Sequence, residues 1–191
     1  MMVIEKAALH SAETAARFLS DGKLLILPTD TIYGFSTAVP SGSSAIVKAK
    51  GRDEGKPFIQ LIASPGDIER YADTRDISRL VSLWPGPVTI IVNAYSGGTV
   101  AFRCPGDEWL RKVISMTGSP VFSTSVNRAG ERALGRIGEI VSEFGNVADL
   151  IVDSGDLLSG MASTIVDASG SQPRIIRQGE AVIPPEYLGT V

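Results

Sequence analysis

Residues 23–63 leave this chain the fewest choices of fold. Lys23-Leu24-Leu25-Ile26-Leu27 is short and apolar, the pattern of a buried strand, and it stops at Pro28, which cannot donate to a sheet ladder. Thr29-Asp30-Thr31-Ile32-Tyr33-Gly34 follows directly. Hydroxyl and carboxylate groups bunched at the carboxyl end of a buried strand stand where open α/β sheets hold their ligands; a plain strand-to-loop turn is the competing reading. Ser43-Ser44-Ala45-Ile46-Val47-Lys48-Ala49-Lys50 reads as a short serine-capped helix running into Gly51-Arg52-Asp53-Glu54-Gly55-Lys56-Pro57. Lys50, Arg52 and Lys56 thus crowd a glycine-flanked loop before the strand Phe58-Ile59-Gln60-Leu61-Ile62-Ala63. Such a loop can turn several cations and backbone N–H groups onto one anion, as phosphate sites do, although Asp53 and Glu54 offset part of the charge.

The remainder alternates helix and strand signals. Residues 11–20 form an amphipathic helix pattern stopped by Gly22. Ser64-Pro65-Gly66-Asp67 can open a helix through Tyr71, residues 77–83 suggest another, and Trp84-Pro85-Gly86-Pro87 breaks it. Residues 88–92 and 99–104 read as strands around the Gly97-Gly98 turn, and 109–116 as a helix with a core-packing role. Residues 136–144 read as a helix, and 150–153, 162–167 and 173–179 as extended segments.

At 191 residues, 43% of them hydrophobic, the chain is expected to be one α/β domain spanning 1–191, with no linker or repeat to divide it. A net charge of -3 argues against coating nucleic acid by bulk charge. One cysteine, Cys104, and one histidine, His10, leave no material for a disulfide, a cysteine-based metal cluster or a histidine-rich zinc site. No signal-peptide pattern or long apolar window stands out, so a soluble cytoplasmic protein without membrane contact is expected.

A second polar turn follows an apolar strand start at Pro120-Val121-Phe122-Ser123-Thr124-Ser125-Val126-Asn127-Arg128-Ala129-Gly130. Ser125 and Asn127 alternate in an extended segment and could project to one side, though such turns are more often structural. The chain has no P-loop, no Rossmann glycine fingerprint after the first strand, and no carboxylate pair at suggestive spacing. A Ser-His-Asp triad would need His10, far from the serine-rich turns.

Read in order, Pro28-Thr29-Asp30-Thr31-Ile32-Tyr33-Gly34, Lys50-Gly51-Arg52, Lys56-Pro57, Trp84-Pro85-Gly86-Pro87-Val88-Thr89, Ser125-Val126-Asn127, Ser163-Thr164-Ile165-Val166-Asp167 and Arg177-Gln178-Gly179 resemble the motifs of the YrdC-like threonylcarbamoyl-adenylate synthases. Each motif is weak alone; their order across residues 12–180 is specific. The resemblance implies a twisted mixed β-sheet flanked by helices around a concave basic cleft. It also implies synthesis of threonylcarbamoyl-AMP and pyrophosphate from L-threonine, bicarbonate and ATP, for the machinery that places threonylcarbamoyl on tRNA adenosine. By this resemblance, Thr31, Arg103, Ser125 and Ser163 would line the threonine site, with Arg103 on its carboxylate. Arg52, Lys56, Asn127 and Arg177 would hold ATP, with Lys50 nearby, and Mg²⁺ would be borne on the triphosphate. No protein nucleophile is implied; catalysis would come from positioning and charge.

Three departures touch the site. Leu61 stands where many relatives have histidine, Asp53-Glu54-Gly55 is more acidic than the usual loop, and Ser125-Val126-Asn127-Arg128-Ala129-Gly130 differs from the common Ser-Ala-Asn-x-Ser-Gly. The competing reading by resemblance is a nucleotide- or double-stranded-RNA-binding protein of the same fold without adenylation. A third is a carbamoyl-adenylate enzyme acting on another acceptor, which usually sits in a longer chain.

Overall fold

The computed structural model of the chain describes residues 1–51, 57–158 and 160–188. Among these, the elements in order are β1 (Met2–Glu5), α1 (Ser11–Ser20), β2 (Leu25–Leu27), β3 (Gly34–Ala38), α2 (Ser43–Lys50), β4 (Ile59–Leu61), α3 (Ser78–Val81), β5 (Val88–Asn93), β6 (Thr99–Arg103), α4 (Glu108–Thr117), β7 (Val121–Ser125), α5 (Ile137–Phe144), β8 (Leu150–Asp153), β9 (Thr164–Asp167) and β10 (Arg174–Arg177). The strands form one mixed sheet in the order β1-β8-β2-β3-β7-β4-β6-β5-β9-β10. β1 and β2 run parallel to β8, β4 to β6 and β5 to β9, while the other neighbours are antiparallel.

Side-chain alternation divides the core. Leu25 and Leu27 face α1 and α4, meeting Ala12, Ala15, Ala16, Leu19, Leu110, Val113 and Ile114. Leu24 and Ile26 face the other way, against Ile46 and Ala49 of α2 and Ile140 and Phe144 of α5. Phe144 stands edge-on to Phe35, with ring centroids 4.9 Å apart. A third cluster packs Val88, Ile90 and Val92 of β5 and Phe102 of β6 against Leu80 and Trp84. A strand apolar at every position is therefore one sandwiched between helices on both faces.

Several sequence expectations change, and the edge strand β1 is also one the sequence reading does not assign. β3 was not foreseen, yet it lies between β2 and β7. Its Gly34-Phe35-Ser36-Thr37-Ala38 is short on apolar bulk, but Gly34, Phe35, Ser36 and Thr37 are all buried. Since Leu27 pairs antiparallel with Gly34, the Thr29–Tyr33 turn joins two neighbouring antiparallel strands. Helix α2 has Gly42 at its cap position and no side-chain cap bond, so the expected serine cap does not form. The helix expected after Ser64 is a 3₁₀ turn, Pro65–Arg70, held by a reciprocal Ser64–Asp67 capping box, and that expected over 77–83 reduces to a 3₁₀ turn, Arg75–Ile77, followed by one turn of α3.

Cys104 is fully buried, and that burial pushes its thiol up to about 11. Its raised value contributes stability that is present below about 9 and lost as pH rises through about 11. A disulfide thiol reagent at pH 8 is expected to leave the native protein unlabelled while labelling the denatured chain fully. Equal labelling rates in the two states would refute this burial.

Candidate functional site

The face covered by α1 and α4 continues beyond Leu61 and Val121, and there it becomes polar. Register explains how. Val121, Ser123 and Ser125 alternate onto one face of β7; Leu61 lies opposite Val121 and beside Arg103, and Ile59 lies opposite Ser123. Gly34 lies opposite Ser125, and a β-carbon there would come within 2.7 Å of the Ser123 hydroxyl, so glycine preserves the open floor. A cleft of about 320 Å³ forms on this strip, lined by Thr31, Arg103, Ser123, Ser125, Ser163 and Arg177 together with Phe58, Ile59, Leu61 and Ile165.

Arg103 is 4% exposed and tied on three sides. Its Nε donates to the Gly86 carbonyl at 3.2 Å, Nη1 to the Thr31 hydroxyl at 3.0 Å, and Nη2 to Asp30 at 2.6 Å. The turn that carries Thr31 is itself held by Thr29, whose Oγ1 accepts from the Thr31 and Ile32 amides at 3.0 and 3.2 Å. Closure of a local turn by a threonine hydroxyl thus sets the hydroxyl that meets Arg103.

Across the cleft, Arg177 donates through Nε and Nη2 to the Ser163 carbonyl at 3.2 and 2.8 Å and through Nη2 to the Ser163 hydroxyl at 3.2 Å. That hydroxyl also shares a 2.8 Å hydrogen bond with Thr89, which is fully buried. β10 is an exposed edge strand, but the Arg177 guanidinium turns inward against Ser163. Desolvation, and then the like charge of Arg103, hold Arg177 below the usual arginine range.

At the end of β7, Lys50 donates to the Ser125 carbonyl at 2.5 Å and to Asn127 Oδ1 at 2.8 Å, and the Ser125 hydroxyl donates to the same oxygen at 2.5 Å. Ser125 and Asn127 do project to one side. Asn127 Nδ2 donates to the Arg128 and Glu131 carbonyls at 2.7 and 2.9 Å, fixing the turn.

The structure therefore brings Thr31, Arg103, Ser125, Ser163 and Arg177 into one cleft. Lys50 and Asn127 stand behind Ser125, both nearly buried, and are not among the lining residues. Arg52 and Lys56 lie outside the described residues. Sequence reading missed Asp30, Thr89 and Ser123 as members of the site; Asp30 and Thr89 sit inside motifs, but the partners that give them a role are 73 and 74 residues away. Among the described residues, no three His, Cys, Asp or Glu side chains gather to hold a metal ion, and no helix is long and apolar enough to cross a membrane.

Comparison with known proteins gives a consistent result. The Sua5/YciO/YrdC family, described as telomere recombination, matches residues 17–179. Threonylcarbamoyl-AMP synthase of Pyrococcus abyssi is 30% identical over 179 residues, covering 86% of this chain and 53% of that protein. The chain thus spans about half the length of this relative. A crystal structure of P. abyssi Sua5 complexed with L-threonine superposes with a TM-score of 0.84 at 26% identity, over 93% of this chain and 57% of that one. The E. coli YciO structure has the same fold, with a TM-score of 0.82 at 18% identity and 96% of both chains covered.

Proposed function

The chain belongs to the Sua5/YciO/YrdC family, and from that premise we propose that it is a threonylcarbamoyl-AMP synthase, condensing L-threonine, bicarbonate and ATP with release of pyrophosphate. The observation that carries this reading is the convergence of the Arg103 and Arg177 guanidinium groups with the hydroxyls of Thr31, Ser123, Ser125 and Ser163 on one cleft. Arg177 is partly desolvated beside the like charge of Arg103, an arrangement that an anionic ligand relieves. L-Threonine as the amino acid draws support from the P. abyssi Sua5 complex.

In this reading the threonine carboxylate pairs with Arg103, with Thr31, Ser125 and Ser163 around the substrate. Arg177, Asn127, Arg52 and Lys56 hold the triphosphate, with Lys50 bracing Ser125 and Asn127 from behind. The threonine amine adds to bicarbonate, losing water to give the carbamate; a carbamate oxygen then attacks the α-phosphorus and pyrophosphate leaves. The protein's part is alignment and charge stabilisation, which demands no nucleophilic side chain. Mg²⁺ enters as part of the nucleotide substrate, and Asp30 is engaged by Arg103 and the Gly106 amide. The product would pass, in the cytoplasm, to the enzymes that modify tRNA.

Purified protein supplied with ATP, Mg²⁺, bicarbonate and L-threonine is expected to release pyrophosphate, and omission of either threonine or bicarbonate should stop it. Release indifferent to threonine would rule out this substrate. Nucleotide binding without any release would favour the nucleotide- or RNA-binding reading.

A further inference from the structure

We propose that Asp30 is a positioning residue for the carboxylate-binding guanidinium, and that it makes the site selective for an amino acid with a free carboxylate. This rests on the synthase reading. Arg103 lies at the end of β6, and of its five N–H donors three are spent within the protein, on Gly86, Thr31 and Asp30. That leaves one N–H on each terminal nitrogen, the pair that matches the two oxygens of a carboxylate.

Asp30 settles which way that pair faces. Its Oδ1 accepts from Arg103 Nη2 at 2.6 Å, while its Oδ2 accepts from the Gly106 amide at 2.7 Å, so the carboxylate is fixed at both ends. The ion pair is well shielded, with side-chain exposures of 5% for Arg103 and 18% for Asp30. At Gly106 a β-carbon would stand 3.0 Å from Oδ2, so the loop after β6 is fitted closely to this oxygen.

Two roles for Asp30 make opposite predictions. If it only offsets the charge of Arg103, removing its charge should tighten the binding of any anion. If it aims the guanidinium, removing it should loosen the carboxylate specifically. The geometry points to the second, because both oxygens are engaged in directed hydrogen bonds.

Calorimetric titration with L-threonine and with L-threoninol, which has a hydroxymethyl group in place of the carboxylate, separates them. Wild type is expected to prefer threonine. Asp30→Asn is expected to lose about tenfold or more in threonine affinity, the size of a lost charge-assisted hydrogen bond, while threoninol affinity stays within about twofold. Asp30→Glu, which keeps the charge but moves the oxygens by one methylene, is expected to show the same selective loss and serves if the asparagine variant fails to fold. Unchanged or tighter threonine binding in both variants overturns the inference alone, as does an equal loss for both ligands. Absence of threonine binding by wild type overturns the synthase reading and this inference with it.

Discussion

Arg103→Ala is expected to raise the KM for L-threonine by about 100-fold or more, and at the same time to destabilise the fold by about 3 kcal/mol. The first effect follows from losing a desolvated cation that lines the cleft and keeps two N–H groups unengaged by the protein. The second follows from what is left behind: an Asp30 carboxylate, largely shielded from water, without its guanidinium partner. A variant that both binds and folds poorly is ambiguous, so the informative comparison adds Asp30→Asn to Arg103→Ala. An amide costs far less to bury than an unpaired carboxylate, and the double variant should recover a good part of the lost stability in urea melts. It should recover none of the threonine affinity, since the cation is still missing. Sites in direct contact are not additive, and here the two readouts should fail additivity in different ways. Normal threonine saturation by Arg103→Ala would end the assignment of this residue. A double variant no more stable than Arg103→Ala would mean that the stability loss has another source.

What could be read from the residues was whatever depends on local pattern. Apolar periodicity and a glycine stop gave α1 as Ser11–Ser20, and the apolar run at residues 24–27 lies in the core on both faces. β3 was illegible for a physical reason: its burial is secured by neighbours on both sides, so it needs little apolar bulk of its own, and Gly34 and Ser36 look like loop residues. Hydroxyl-rich turns could be recognised as candidate sites, but not the hydrogen bonds that give them direction. Thr89 becomes part of the site only because β5 runs parallel to β9, which brings it to Ser163. Spacing makes Lys50 a cation of a phosphate loop, but cannot reveal that its ammonium also reaches the Ser125 carbonyl and Asn127, a pairing across the sheet. The motifs single out Thr31, Ser125, Ser163 and Arg177; register brings them onto one cleft.

Gly179 offers the second large effect, and one that needs no charge. Its amide donates to Thr164 Oγ1 at 3.0 Å, at the point where the chain leaves β10 past the start of β9. A β-carbon there would overlap the Ala162 carbonyl and lie 2.5 Å from the Ser163 carbonyl oxygen, which accepts two of the three hydrogen bonds that Arg177 donates to Ser163. Backbone cannot swing aside as a side chain can, so Gly179→Ala must part the two segments that carry Ser163 and Arg177. Overpacking of this kind costs about 1–3 kcal/mol. Turnover is expected to suffer more than stability, by about 100-fold or more, because catalysis through positioning is sensitive to displacements of about 1 Å. Gly138→Ala is the matched control. Gly138 lies on the exposed side of α5 with nothing near a new β-carbon, so alanine there should stabilise the helix by about 0.5–1 kcal/mol and leave turnover unchanged. Pyrophosphate release and thermal melts on the two variants decide the matter. A Gly179→Ala protein with turnover within about twofold of wild type would mean that the Ser163–Arg177 wall yields freely, and that the close approach at Gly179 does not set the geometry of the cleft.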